Sequence, residues 1–355
     1  MQVCLKQEKR ENGMIKNFVF DMGNVLIDWN PTAISQRISK DQSEEILTYL
    51  FKSTTWLRLD EGLVTLEEGL KEILNATPLA YHEIISFAYN HWFEYVDMLD
   101  QTYDFIKKIK KQGYGIYMLS NCSQMFYRYY QTMAIFDLFD GYYVSADSQL
   151  LKPDVRIYQD FLKKFNLKGE ECFFIDDVSE NVNGAIHAGM YAFQYKKDVA
   201  TLEEAARYAS VITIKPHHLI DIVKLYGLGV EYFIPDEAFH HDFYRVANII
   251  VNDPIHFVKF TIDGDDICQP CKHYHLEQCQ DHMNKISKEF YNRQLDQDLF
   301  RLLGLSVHNM YVVKDVIQMI LGDINVIDVV WKNEDDLKHQ KRKDGFIKGA
   351  NKLIG

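Results

Sequence analysis

Apolar runs and amphipathic stretches alternate along the first two hundred residues. Residues 15–21 read as a buried strand, and 32–95 carry helical spacing around one loop-like stretch, Arg58-Leu59-Asp60-Glu61-Gly62. The pattern then predicts a helix over 101–112, a strand over 114–119, a helix over about 123–133 and a short strand over 141–146. A helix over 154–165, a strand over 172–176, a helix over 179–188 and a strand over 190–194 complete the series. Such alternation implies right-handed crossovers and a doubly wound, Rossmann-like parallel sheet of the α/β class. The helical insert after the first strand, about 32–98, is expected to cap the strand ends.

The alternation stops after the polar, helix-prone segment 196–209, so a domain boundary is expected near 209. This gives a disordered extension over 1–13, a first domain over 14–209 and an α+β domain over 210–355. In the last, helices are predicted at about 237–252, 281–303 and 313–321, with a short strand at 256–261. The charged tail 333–348 is expected to be exposed.

Composition fits this division. A chain of 355 residues with 47% apolar content is ample for two packed domains. The formal charge of −12 comes with no basic stripe, which argues against nucleic acid as a partner. No run approaches the roughly 18–20 apolar residues of a membrane span. The first residues lack an apolar core of signal-peptide length, so a cytoplasmic protein is expected. Of six cysteines, Cys4, Cys122 and Cys172 are scattered, whereas Cys268, Cys271 and Cys279 cluster. In a reducing compartment the cluster reads as metal binding before it reads as a disulfide.

Four signals recur in order: Asp21 after Phe18-Val19-Phe20; Ser120-Asn121 after Met118-Leu119; Lys152 before Pro153; and Asp176-Asp177 after Phe173-Phe174-Ile175. A parallel sheet would set three of them along one edge, where open α/β folds bind ligands. A carboxylate nucleophile, a hydroxyl, a lysine and an acidic pair suit phosphoryl transfer. Asp21 would attack phosphorus. Mg²⁺ would be held by Asp21, a carbonyl near Gly23, and Asp176 and Asp177. Lys152 would neutralise charge, Ser120 would bind phosphate oxygens, and Asn24 and Asn121 are further substrate-binding candidates. Asn181 is placed to orient Asp177. Singly, an Asp after a strand is usually a turn or helix cap; it is the order of all four that carries the reading.

On Asp21, Ser120, Lys152, Asp176, Asp177 and the cap, residues 15–209 resemble the haloacid dehalogenase superfamily. Phe20-Asp21-Met22-Gly23-Asn24-Val25-Leu26 is similar to the subgroup that includes a bacterial α-glucose-1-phosphate phosphatase. The resemblance implies an aspartyl-phosphate on Asp21, a Mg²⁺ site completed by Asp177 with Asp176 close by, and substrate choice by the cap loop from Arg58 to Glu61. The implied substrates are small phosphorylated metabolites, sugar phosphates among them. One departure stands out: most phosphatases of the superfamily carry a general acid two residues after the nucleophile, where this chain has Gly23. A metal-bound water, Asp60 or Glu61 would have to replace it; Asp28 reads better as a turn or cap residue. Metal-free dehalogenation, also known in the superfamily, fits poorly, because two adjacent carboxylates without a cation repel each other and an anionic substrate. The other reading from Gly23 is a catalytically weak scaffold that senses metal or redox state.

The second cluster pairs Cys268-x₂-Cys271 with Cys279-x₂-His282, a spacing that suits a tetrahedral zinc site. The competing reading is three buried cysteines packed as small hydrophobes. Residues 212–331 also resemble a small, uncharacterised cysteine-containing domain family suspected of holding an iron–sulfur cluster. The matching residues are Pro216-His217-His218, Asp265-Asp266-Ile267-Cys268, Cys271, Cys279 and Leu302-Leu303-Gly304-Leu305. That family's later cysteines are absent here, where Val329 and Trp331 stand. Zinc, an iron–sulfur cluster with a histidine ligand and a vestigial site all stay open, with His217 and His218 ranked below His282 as ligands.

Overall fold

The computed structural model describes residues 14–283 and 285–355; the extension expected over 1–13 lies outside them. Contacts divide the chain into two compact units, one of residues up to 110 with 114–209, the other of 111–113 with 210–355.

The first unit is built on a five-stranded parallel sheet in which β1 (Asn17–Phe20) is central. Around it stand β2 (Gly115–Ser120), β3 (Gly141–Val144), β4 (Cys172–Asp176) and β5 (Tyr191–Gln194), in the order β3-β2-β1-β4-β5. Every residue of β1 is buried, as a strand covered on both faces requires. Phe18 packs edge-on against Tyr114 and Phe173, with ring centroids 4.9 and 5.6 Å apart. On one face Val19, Leu119 and Phe174 meet Ile157, Tyr158 and Phe161 of helix Val155–Lys164.

The cap occupies the connection between β1 and β2. Its helices start at strong caps: Asn30 before Pro31–Ile38, Ser53 before Thr54–Asp60, and a Thr65/Glu68 capping box before Leu66–Ala76. The helix expected over 123–133 shrinks to Phe126–Tyr129, because Met133 adopts an extended conformation and only 3₁₀ turns follow.

The second unit holds a three-stranded sheet. Here β7 (Phe257–Phe260) lies between β6 (Ile212–Ile214), parallel to it, and the antiparallel strand Met310–Val312. Two sequence expectations shorten. The helix near 237 begins at Phe243, after a turn in which Asp236 accepts the N–H groups of Ala238 and Phe239. The helix near 281 begins at Lys288, because two small hairpins precede it, one turning at Leu276 and Glu277 with positive φ.

The tail 333–348 is largely exposed, with only Gly345 and Phe346 buried, but it forms a helix that is anchored at its C-terminal end. Helix Asp336–Ile354 buries Phe346, Gly349, Ala350 and Leu353, an i, i+3, i+4, i+7 stripe that its many charges hide in the sequence. A Cβ on Gly349 would lie 1.9 Å from the Val223 carbonyl oxygen of helix Pro216–Gly227, so the two backbones approach as only glycine permits.

Candidate active site

Register delivers the site. Phe20 of β1 pairs with Met118 of β2 and Ile175 of β4. Asp21, Ser120 and Asp176 therefore emerge together at the C-terminal edge of three adjacent strands. Lys152 arrives from the loop after β3, almost wholly buried. Its ammonium contacts Asp21 at 2.7 Å and Asp176 at 2.6 Å and donates to the Leu119 carbonyl at 3.1 Å.

This cluster is electrostatically overloaded. Burial and the neighbouring Asp176 push the Asp21 carboxyl up to about 6, against the pull of Lys152 and a hydrogen bond from Ser120. Burial also works against the Lys152 ammonium, but Asp21 and Asp176 together outweigh it and raise its pKa. Asp177 is shifted upward by burial, opposed by the Asn24 amide and helped by Asp176.

The supporting amides differ from the sequence reading. Asn181 donates to both oxygens of Asp176 at 3.1 Å, not to Asp177, because its helix starts directly over the strand end. Asp177 is held instead by Asn24 at 3.0 Å, whose φ of +56° swings the side chain toward it. Asn121 clamps the Lys152 backbone, donating to its carbonyl at 3.0 Å and accepting its N–H at 2.8 Å. Asn24 and Asn121 both border the cavity described next, yet their side chains are engaged in positioning Asp177 and Lys152.

Above the cluster lies a cavity of about 400 Å³. Asp21, Gly23, Ser120, Lys152 and Asp177 line its floor, and Trp29, Phe51, Trp56, Trp92, Phe126 and Tyr129 much of its wall. Three of the chain's four tryptophans meet here. Trp29 stacks on Trp56 at 6.1 Å and meets Trp92 edge-on at 5.0 Å. Spacing did not reveal them, since they come from separate cap segments; their concentration between residues 29 and 92 was the available signal.

Arg58 and Glu61 are not among the lining residues. Arg58 is turned away from the cavity and pairs with Glu72 at 2.6 Å on the exposed flank of the cap, and Glu61 caps the C-terminus of helix Thr54–Asp60. Asp60 does line the cavity. Burial raises its carboxyl well above the usual carboxylate range, against one hydrogen bond from the Ser123 backbone.

The acidic residues fit a hard divalent cation. Asp21, Asp176 and Asp177 each offer an oxygen, all within 4.8 Å of one another, and two of the three carboxyls are raised by burial and mutual repulsion that a cation would relieve.

In the second unit the predicted ligand set does not assemble. Among the described residues, no three of Cys268, Cys271, Cys279 and His282 bring ligand atoms within 4.8 Å of each other, and His282 is exposed. The two hairpins between Cys271 and Ser287 separate residues that a single tight loop would have joined. Cys268 instead gathers with His218 and Asp265. Asp265 accepts from His218 Nδ1 at 2.7 Å and from the backbone N–H groups of Lys215 and Cys268, both at 2.9 Å. Beside it, His217 pairs with Asp296 at 2.8 Å. Burial, then Asp265, pushes the Cys268 thiol far up.

Comparison with known proteins agrees with the first unit. Residues 15–189 match the haloacid dehalogenase-like hydrolase family. A sesquiterpene phosphatase of Aspergillus oryzae is 28% identical over 190 residues, 53% of this chain and 94% of that protein. A D-ribitol-5-phosphate phosphatase of Bacteroides thetaiotaomicron is 28% identical over 195 residues, 51% of this chain and 92% of that one. Among solved structures, a HAD family enzyme of the same bacterium in complex with magnesium and inorganic phosphate superposes with a TM-score of 0.45 at 24% identity, over 53% of this chain and 98% of that one. Residues 15–189 are thus a hydrolase domain of the haloacid dehalogenase superfamily, and the protein that carries it is an enzyme of the phosphatase type.

Proposed function

We propose that residues 14–209, with the cap at about 32–98, hydrolyse phosphate monoesters of small organic molecules in a Mg²⁺-dependent reaction. The observation that carries this reading is the convergence of Asp21, Ser120, Lys152 and Asp177 on the floor of one cavity. An Asp21 oxygen attacks phosphorus, the bond to the leaving oxygen breaks, and water then releases phosphate from the aspartyl-phosphate. Lys152 holds Asp21 in place and offsets the charge that accumulates as the dianion approaches. Ser120 donates to Asp21 or to a phosphate oxygen. Mg²⁺, held by Asp21, Asp177 and a carbonyl near Gly23, would supply the positive charge that one lysine cannot.

The wall sharpens the substrate. Lys152 is the one cation among the lining residues, and six aromatic rings face the space beyond the phosphate site. Polar substituents of a sugar would find few partners there, whereas a flat or branched hydrocarbon would be well covered. The similar proteins act on a sesquiterpene and on ribitol 5-phosphate by name. The aromatic wall favours the apolar end of that range.

Purified protein should turn over p-nitrophenyl phosphate with Mg²⁺ and not with excess chelator. Asp21→Asn should remove that activity. Prenyl and aryl phosphates should exceed sugar phosphates in kcat/KM. An inactive wild type would favour the scaffold reading; a preference for sugar phosphates would refute the substrate class alone.

A further inference from the structure

We propose that Asp60, on the cap, is the general acid that protonates the leaving oxygen. This rests on the phosphatase reading and adds the one group that reading lacks. Among the described residues, three carboxyl side chains line the cavity, Asp21, Asp60 and Asp177, with no Glu or His beside them. Asp21 is committed to phosphorus. Asp177 is held by Asn24 beside Asp21 and Asp176. Gly23 has no side chain to offer a proton, and the space beside it is bordered by Trp29, whose Cβ lies 3.5 Å from where a Gly23 Cβ would stand. Asp60 remains.

Its position is fixed from both sides. The Ser145 hydroxyl donates to the Asp60 carbonyl at 2.5 Å, and the Ser123 N–H bonds the Asp60 carboxylate. The next turn is seated equally firmly. Gly62 has φ +73°, a Cβ on it would lie 2.1 Å from the Ala146 carbonyl oxygen, and Gln149 donates to the Gly62 carbonyl at 3.2 Å. The end of helix Thr54–Asp60 is therefore clamped to the loops that follow β2 and β3.

The surroundings keep the proton on. Cys122 and Tyr129 both feel the Asp60 charge, and both are neutral because burial raises them far above their ordinary values. No cation offsets the burial of Asp60, and the lone Ser123 N–H does not outweigh it. A buried carboxyl held neutral is what an acid catalyst needs.

The bookkeeping of protons closes. As Asp21 bonds to phosphorus, the leaving oxygen takes the Asp60 proton and departs as the alcohol, leaving Asp60 a carboxylate. That carboxylate takes a proton from the water that attacks the aspartyl-phosphate, and phosphate leaves with Asp60 protonated again.

Leaving groups of different basicity test this. An alkoxide needs the proton; p-nitrophenolate leaves without it. Asp60→Asn should cut kcat on an alkyl phosphate by about 10²–10⁴-fold and on p-nitrophenyl phosphate by less than about tenfold. Losses equal on both esters, or absent from both, would overturn the assignment. Should the variant fail to fold, the wild-type pH profile decides: turnover of the alkyl ester must fall at alkaline pH where that of the aryl ester does not, and coincident profiles overturn it. Wild-type turnover of the aryl ester tests the phosphatase reading separately.

Discussion

The two units each bury a cluster of aspartates beside strand ends, and the two clusters are built to opposite ends. In the first, Asp21, Asp176 and Asp177 crowd one lysine at the floor of a cavity. Negative charge is in excess, and carboxyl groups are pushed upward. In the second, each aspartate bonds its own histidine, Asp265 with His218 and Asp296 with His217, although burial and the neighbouring His218 push the His217 ring down, so the charge pairing is that of Asp265. Burial opposes ionised Asp265, but His218 and Lys215 outweigh it and hold its carboxyl far below the usual range. Burial likewise opposes protonation of His218, and Asp265 outweighs it, so that the ring is raised. The lesson is that buried charge by itself says little. An unbalanced cluster next to open space leaves charge that an incoming group can offset, as the proposed function requires; a balanced one has used its charges on itself.

Substitution should separate the two sharply. Asp21→Asn should lower turnover by about 10⁴-fold or more, as loss of a covalent nucleophile does, while leaving thermal stability of metal-free protein unchanged or higher. The sign follows from the raised folded-state value of about 6 against a model value of 3.8. The folded state binds the proton more tightly, so stability falls as pH rises from about 4 through about 6. That slope should be missing in Asp21→Asn; a midpoint that drops by many degrees would mean the Asp21–Lys152 pair is structural. Asp265→Ala should behave oppositely. Removing one partner of a buried pair strands His218, at a cost of about 3–5 kcal/mol. Denaturant titration should show that loss, with aryl-phosphate turnover per folded molecule unchanged. If turnover collapses with folding intact, the second cluster is reactive after all.

The same contrast explains what was legible. The sheet was readable because buried parallel strands are unbroken apolar runs, and an Asp or Ser ending such a run is conspicuous; that is how Asp21, Ser120 and Asp176 were found. Lys152 came from its order in the chain. The hydrogen bonds were not readable. Asn181 faces Asp176 rather than Asp177 because of the helix start, which sequence spacing fixes only to within a residue or two. The aromatic wall was hidden because Trp29, Trp56 and Trp92 share no period. In the second unit, proximity in sequence misled: Cys271, Cys279 and His282 are neighbours along the chain, and the hairpins turn them apart, whereas His218 reaches Cys268 from 50 residues away. The terminal helix was masked by its own lysines. A test of its packing is Gly349→Ala, whose Cβ would intrude on the Val223 carbonyl and should cost about 1–3 kcal/mol.

The smallest expected effect is the most pointed, because sequence and structure disagree on it. The sequence reading gave substrate choice to the loop from Arg58 to Glu61. In the structure Arg58 lies outside the cavity, with side-chain exposure of 44%, and its partner Glu72 is somewhat less accessible at 38%. Such a pair contributes about 0–1 kcal/mol in water. Arg58→Ala should therefore shift stability by no more than that and leave the ranking of substrates intact. Trp56→Ala, two residues earlier on the same helix, removes a stacked wall ring and should depress kcat/KM for apolar esters by about tenfold or more, the equivalent of about 1.5–3 kcal/mol of buried side chain. Measuring both variants against prenyl, aryl and sugar phosphates sets one helix's inner face against its outer one. A changed ranking in Arg58→Ala, with none in Trp56→Ala, would return specificity to the charged loop and empty the aromatic wall of its role.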